Sequence, residues 1–342
     1  MNVRVSALLA GVVVLSTCLA PGVDASAAFP TAPTSQTGSA SSPVRVSGSA
    51  SGVGKLHTAC RTIPDLRPNR FPALPSVNNP YLPYVAGTQT VLRGTVTSGG
   101  IPHPHKIVTT VTDLTKMIDG VRTAVVYEQD LQLGTVQESE LLFVAQDVRG
   151  SVWHMGEYPE VYEHGRPGAP DAWLSGVAGA GIDMPLRPHV GEVLMQGYSP
   201  NVFYDCARVE ALHKHICVPT GCYRHVVLTN EWSPIAPKDH HQLKYSAVGL
   251  GTILALPLHE PNPEVVRLAK VTCLRPRALA KIDRAAIAED KRAYHVAAPV
   301  YAGSPPAVQT PGIQTCSDPE SSPHRQRSLR YAPHPQTPVS KA

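Results

Sequence analysis

Two histidines and a cysteine occupy alternate positions in the segment His213-Lys214-His215-Ile216-Cys217. Side chains two residues apart on a β-strand share a face, so the spacing predicts that these three point the same way. Two imidazoles in that geometry can hold Zn²⁺ or Cu²⁺ once a further ligand arrives, for which Asp239, His240 and His241 are candidates. The alternative interpretation is a pair of surface histidines beside a disulfide that occupies Cys217.

Cys217 and Cys222 flank the turn sequence Val218-Pro219-Thr220-Gly221 between two strand-like runs. Opposite each other in a hairpin, they would lie near the roughly 4.4–6.8 Å Cα separation of a disulfide. We therefore predict the disulfide Cys217–Cys222, with a metal-binding thiolate pair as the alternative. An even number of cysteines outside the N-terminal segment is typical of an exported, oxidised protein, and the pairing of the other four stays open: Cys60, Cys206, Cys273 and Cys316.

Acidic and aromatic residues recur together in two strand-like segments. Trp153 is followed by Glu157 and Glu163, and Glu231 directly precedes Trp232. Paired acids beside aromatic rings are what a sugar-binding groove or a glycosidase would use, with the acids as proton donor and nucleophile. Trp153, Glu157, Glu231 and Trp232 are therefore our candidate ligand-binding residues. The alternative is an exposed strand edge with scattered charges.

Several enzyme classes lack their usual signatures in this chain. There is no G-x-S-x-G nucleophile elbow and no phosphate-binding loop. The net charge is +4, and the basic C-terminal residues Arg325, Arg327 and Arg330 have no recognition motif beside them, so we expect no nucleic-acid partner. The leading hypothesis is a non-catalytic domain that binds an extracellular ligand or an envelope component. The alternatives are a secreted polysaccharide hydrolase and a metal-binding envelope protein, and no other cofactor is expected.

The two ends of the chain have the composition of processing and linker segments. Residues 1–27 combine a basic start, an apolar run and small residues, which predicts a signal peptide. Cys18 could alternatively be the lipidated residue of a lipoprotein box. Residues 28–58 and 299–342 are rich in small residues and proline, and we predict that both are disordered. No later segment is apolar enough to span a membrane, so we expect a secreted protein, or a lipid-anchored one.

The remaining part, residues 59–298, reads as one β-rich domain. Runs of β-branched residues alternate with turn signals such as Asp119-Gly120. About ten antiparallel strands fit a large curved sheet, a sandwich or an open barrel. One helix is predicted from Arg277 to Arg292, where the apolar residues Leu279, Ile282, Ala286 and Ile287 recur three or four apart.

Short motifs spread over residues 78–256 resemble a family of uncharacterised exported β-rich bacterial proteins. They begin with Asn79-Pro80-Tyr81-Leu82-Pro83, continue with Val152-Trp153-His154-Met155-Gly156-Glu157, and end with Gly249-Leu250-Gly251. The resemblance implies a secreted or lipid-anchored β-rich protein and no particular activity. A Ca²⁺-like turn of the family keeps only its first ligand here, in Asp147-Val148-Arg149-Gly150-Ser151, and the family's His-Lys-Tyr-Tyr is Leu243-Lys244-Tyr245-Ser246. Neither a Ca²⁺ site nor a role for that histidine is carried over.

Overall fold

The computed structural model describes residues 60, 62–163, 166–169, 171–236, 241–258 and 263–317, with the backbone alone at residue 163. The predicted signal peptide, Cys18 and the linker from 28 to 58 lie outside this part. So do Asp239, His240 and residues 318–342 of the predicted tail.

Fifteen antiparallel strands make up most of the described chain. In order they are β1 Thr88–Ser98, β2 Ile101–Ile118, β3 Val121–Gln132, β4 Thr135–Gln146, β5 Val152–Glu163, β6 Arg166–Gly168, β7 Trp173–Leu174, β8 Gly179–Met184, β9 Val193–Ser199, β10 Phe203–Val218, β11 Gly221–Trp232, β12 His241–Ala247, β13 Gly251–Leu258, β14 Glu264–Cys273 and β15 Val308–Gln309.

Twelve of these strands close into a barrel. The pairing runs β1-β14-β13-β12-β11-β10-β9-β8-β5-β4-β3-β2, and β2 pairs back to β1, while β6, β7 and β15 add to individual strands. Closure leaves the twelve strands without a free edge, which avoids edge-to-edge aggregation. The prediction of a mainly β, antiparallel fold with one helix near its C-terminal end is confirmed, and the barrel is closed rather than open.

The turn between β2 and β3 shows how local sequence specifies the pairing. Asp119 and Gly120 both have positive φ, at 49° and 75°, as a two-residue type I′ turn requires. The turn joins Ile118 directly to its partner Val121. The Asp-Gly signal therefore fixes the register next to the turn, up to a register shift between Val111 and Thr115.

The helix α1, Pro276–Val296, lies on the outside of the barrel. Leu279 and Ala286 are buried, whereas Lys281 and Arg284 on the opposite face are exposed. Ala286 belongs to a cluster with outward-facing strand residues, among them Val125, Leu141, Phe143, Trp153 and Met155. No helix in the described part of the chain is long and apolar enough to cross a membrane.

Ion pairs reinforce the docking of α1. Lys116 on β2 is almost fully buried, and its Nζ lies 2.9 Å from Asp290 Oδ1 and donates to Tyr294 Oη at 2.9 Å. Arg292 contacts the buried Glu160 of β5 through two nitrogens, with Nη2 to Oε2 at 2.7 Å. Buried charges are tolerated only when paired in this way, so these contacts fix the position of the helix.

The prediction of a disordered tail that begins at residue 299 is wrong for residues 299–317, which are ordered. The short helix α2, Ala298–Tyr301, buries Tyr301, and Val308 of β15 pairs with Thr115. A disulfide joins Cys273 to Cys316, and a second one joins Cys60 to Cys206. Composition alone missed this order because the contacts that hold the segment are to residues distant in sequence.

Inside the barrel, one end is filled by an apolar plug. Its buried members come from several strands and from Val77, which precedes β1: Val77, Ala124, Val126, Leu142, Val144, Val152, Trp173, Met184 and Phe203. The Trp173 and Phe203 rings stack at 4.9 Å between centroids. A Cβ on Gly197 would lie only 2.7 Å from Trp173 and 2.8 Å from Phe203, so only glycine fits there.

Candidate functional site

A cavity of about 140 Å³ lies inside the barrel, above the apolar plug. Leu142 and Met184 belong to the plug and also line the cavity, so they form its floor. Gly249 and Val271 also line the cavity and are exposed, so the mouth of the cavity lies beside these two residues. An engineered apolar cavity of about 150 Å³ is known to hold benzene, so the space suits a small organic molecule.

Buried polar side chains make up the inner wall of the cavity. Asp183 is 5% exposed, and neither of its carboxyl oxygens has a hydrogen-bond partner among the described residues. The same holds for Oε1 of Gln196, which is 3% exposed. Leaving such a group unpaired costs about 1–3 kcal/mol. Both side chains line the cavity, so a ligand with hydrogen-bond donors can satisfy them.

Burial controls the protonation of Asp183. It raises the pKa of this carboxyl well above its usual value, and the negative charge of Glu231 raises it further, while Lys244 acts in the opposite direction. Burial of this kind favours the neutral form of the carboxyl. A cation placed beside it would favour the ionised form and would therefore bind with release of a proton.

Two further acids line the cavity and have partners. Glu231 Oε2 lies 2.6 Å from the Lys244 ammonium, and Glu128 Oε2 accepts a hydrogen bond from Thr109 Oγ1 at 2.6 Å. Tyr84 also lines the cavity, and its pKa is raised well above the usual value by burial and then by the negative charges of Asp183, Glu128, Glu231 and Glu140. The wall is therefore rich in acceptors and has one cationic group.

A pair of acids lies in the barrel beside the cavity wall. Burial raises the pKa of Glu140 to about 8, with a further contribution from Glu128, and raises the pKa of Glu157 well above its usual value. The two side chains hydrogen-bond each other. Two carboxyl groups can do so only if one keeps a proton, so the pair holds a shared proton and is not two free carboxylates.

A second polar cluster lies further along the same strands. His105 Nε2 lies 2.8 Å from Glu264 Oε1, and its Nδ1 lies 3.4 Å from Asp130 Oδ1. Burial lowers the pKa of His105, but the hydrogen bond to Glu264 and the charge of Asp130 outweigh it, so the net pKa is raised. Burial raises the pKa of Asp130 to about 8. Ion pairing therefore joins these three groups, although Asp130 Oδ2 has no hydrogen-bond partner among the described residues.

His154 packs against the apolar plug and is a neutral group. Its ring packs edge-on against Trp173 and Phe203, with centroids 4.9 and 5.5 Å away. Complete burial lowers its pKa to about 3. It is therefore part of the apolar plug and does not titrate near neutral pH.

The four residues predicted to bind a ligand do not form one site. Glu231 lines the cavity, and Glu157 lies beside it in the shared-proton pair. Trp153 instead packs against Phe71 on the outer surface, and its Nε1 donates to Asp147 Oδ2 at 3.1 Å. Trp232 packs with a different outer cluster that contains the Cys60–Cys206 disulfide. The prediction of an aromatic groove is therefore wrong. Glu231 and Trp232 are neighbours on β11 and point to opposite faces of the barrel wall, and a register shift in β5 separates Trp153 from Glu157.

The prediction that His213, His215 and Cys217 point the same way is wrong for His213. Register shifts on either side of Lys214 interrupt the alternation in β10. His213 Nδ1 lies 3.1 Å from His225 Nδ1 on β11, while His215 lies beside the sulfurs of Cys217 and Cys222. Those two cysteines form the expected disulfide, with Cα atoms 4.0 Å apart, so their sulfurs are not available as thiolate ligands.

Sequence reasoning missed Asp183, Gln196 and Lys244, the main polar groups of the cavity wall. A usable signal was present in β12, where Gln242, Lys244 and Ser246 are alternate polar residues and all are buried. Alternate polar residues normally indicate a face in water. In a closed barrel they can instead line the interior.

No family model matches this chain, and no curated protein does. Among solved structures, a Bacteroides fragilis protein described as exported and as having a YmcC-like fold is 11% identical, with a TM-score of 0.35 over 57% of this chain and 99% of its own. A Parabacteroides distasonis protein described as a lipoprotein is 10% identical, with a TM-score of 0.28 over 56% of this chain and 99% of its own. At these TM-scores, neither likeness carries a function over to this chain.

Proposed function

We propose that the protein is an exported binding protein that takes a small organic amine into the cavity of its barrel. Its place outside the cytoplasm, either secreted or lipid-anchored through Cys18, is supported by three disulfides in the described part, because such bonds persist in oxidising compartments. The N-terminal sequence supports the same conclusion.

The observation that carries the proposal is Asp183. Its two oxygens face a cavity and have no hydrogen-bond partner in the described part, although the side chain is buried. A native fold rarely leaves such acceptors unpaired without a function. An ammonium group offers several hydrogen-bond donors to these oxygens, and its positive charge compensates the charge of an ionised Asp183.

The other wall groups favour the same class of ligand. Glu128 adds negative charge, and the one cation among the wall residues, Lys244, is paired with Glu231. Apolar side chains such as Leu82, Leu92 and Leu250 line the rest of the cavity. A primary amine on a compact apolar body fits both parts of the lining.

A polysaccharide hydrolase is less well supported. A glycosidase needs two carboxyl groups about 5–9.5 Å apart across an accessible sugar. Glu157 shares its proton with Glu140 and does not line the cavity, and the aromatic residues proposed for the groove lie on the outer surface. The cavity is also small for a polymer chain.

The proposal is tested by calorimetric titration of the protein with benzylamine and with benzyl alcohol, which have the same shape. We expect saturable binding of benzylamine at one site and at least tenfold weaker binding of the alcohol. The variant Asp183→Asn should lose the preference for the amine. Asp205→Asn is the matched control, because Asp205 is a buried acid that does not line the cavity, and it should keep the preference.

Equal binding of amine and alcohol by the unchanged protein would contradict the amine proposal. The same conclusion follows if Asp183→Asn binds benzylamine as well as Asp205→Asn does. Far-ultraviolet circular dichroism of both variants identifies any loss of fold, and Gln196→Leu gives a second, uncharged change in the same wall.

A further inference from the structure

Three register shifts interrupt the hairpin of β10 and β11, and two of them flank the Lys214–Val226 pair. Pairing shifts between Ala211 and Lys214 and again between Lys214 and Ile216. Each shift is a β-bulge, which re-aims the side chains around it. The two bulges lie on opposite strands on either side of the Lys214–Val226 pair, and they bring His213 and His225 together.

Both histidines adopt a backbone conformation that costs energy. His213 has φ of 60° and His225 has φ of 57°, in the left-handed region that non-glycine residues rarely occupy. Such outliers cluster at functional sites. His213 and His225 differ from the other surface histidines because both have positive φ and they face each other across one hairpin.

The geometry of the pair matches chelation of one metal ion. The two Nδ1 atoms share a hydrogen bond of 3.1 Å, which an ion bound to both would replace, and the rings are nearly perpendicular at 89°. With metal–nitrogen bonds of about 2.0–2.1 Å, that separation corresponds to an N–metal–N angle of roughly 95–100°. This is close to the right angle between neighbouring ligands in a tetragonal Cu²⁺ site.

We propose that His213 and His225 bind Cu²⁺ through their Nδ1 atoms, with water or another exogenous ligand in the remaining positions. Both residues are exposed, so an ion can reach them. Cu²⁺ is the divalent first-row ion that nitrogen ligands hold most tightly. The Cys217–Cys222 disulfide closes the end of the same hairpin and keeps the two strands, and so the two imidazoles, in place.

His215 is not part of this site. A nitrogen of its ring lies within 4.8 Å of the two disulfide sulfurs, and its position on β10 is separated from His213 by the Lys214–Val226 pair. The second imidazole of the proposed site is therefore that of His225 on the neighbouring strand, and not that of His215, which the sequence spacing predicts.

The test is a Cu²⁺ titration of the full protein followed by electron paramagnetic resonance. His213→Asn and His225→Asn are suitable variants, because asparagine tolerates positive φ and should preserve the hairpin. His215→Asn on the same strand is the matched control. We expect one Cu²⁺ per chain with coupling to two imidazole nitrogens in the unchanged protein and in His215→Asn.

Loss of one nitrogen coupling and at least tenfold weaker binding in both His213→Asn and His225→Asn would support the site. Binding lost in His215→Asn and kept in His225→Asn would overturn it and restore the pairing along one strand. Binding that none of the three changes affects would place the Cu²⁺ elsewhere and would also overturn it. Circular dichroism distinguishes these outcomes from unfolding.

Discussion

The Lys244 ammonium lies 2.6 Å from Glu231 Oε2, and the two residues are diagonal neighbours on β12 and β11 inside the barrel. Diagonal pairs on one face of a sheet are within reach of long side chains. This ion pair neutralises one acid of the cavity wall and leaves Asp183 as the acid without a hydrogen-bond partner in the described chain. The preference for an amine follows because Glu231 is paired with Lys244, whereas Asp183 is available to a ligand.

Replacing Lys244 with methionine should destabilise the barrel. The change leaves Glu231 without the cation that pairs with it, and breaking a buried pair typically costs about 3–5 kcal/mol. Urea unfolding measures the loss. The double variant Lys244→Met/Glu231→Gln should recover part of it, and equal stability of the single variant and the unchanged protein would contradict the importance of the pair.

Stability should fall as the pH rises above neutrality. Burial raises the pKa of Asp130, Glu140 and Asp205 to about 8 in the folded protein, far above their values in an unfolded chain. The folded state therefore holds more protons, and the stability that those protons contribute is lost as the pH rises through about 8. His154 opposes this trend only slightly, because at about pH 6.5 it is neutral in the folded protein and about half neutral in an unfolded chain.

The check on this pH dependence is the urea midpoint at about pH 6.5 and at about pH 8.5, which should be lower at the higher pH. Asp205→Asn removes one of the titrating groups and should reduce the difference. A midpoint that rises with pH would show that these acids are ionised in the folded state.

Removing the Arg292 side chain should weaken the attachment of α1. Arg292→Met leaves the fully buried Glu160 without its guanidinium partner, which we expect to cost about 2–4 kcal/mol. Arg284→Met on the exposed face of the same helix is the control and should change stability by less than about 0.5 kcal/mol. Equal effects of the two changes would mean that the ion pair does not hold the helix.

The disulfides should differ in their contribution to stability. Cys60–Cys206 spans a sequence separation of 146 and Cys217–Cys222 one of 5. Loop-closure entropy then predicts losses of about 5 and about 2 kcal/mol when each pair is replaced by serine. Urea unfolding of the two double variants gives the comparison, and a larger loss for Cys217→Ser/Cys222→Ser would contradict it.

Local patterns predicted the elements of the fold well. Asp119-Gly120 marked a hairpin, and the apolar spacing of Leu279 and Ala286 identified the helix face. The Cys217–Cys222 disulfide followed from a short turn. Each of these features depends on residues close together in the chain, which is where sequence patterns are informative.

The site depended on features that no local pattern contains. Barrel closure requires β1 to pair with both β2 and β14, and only closure makes the inner polar residues a cavity wall. The bulges that join His213 to His225 also break the period of two on which the strand prediction relied. Long-range pairing and one-residue irregularities therefore account for the missed residues.

The most direct test of the central claim is a crystal structure of the protein soaked with 4-bromobenzylamine, with the bromine located by its anomalous scattering. We predict one bromine in the barrel cavity and the amine nitrogen within hydrogen-bond distance of Asp183. Bromine found only on the outer surface, or an amine turned away from Asp183 and Gln196, would contradict the proposed function.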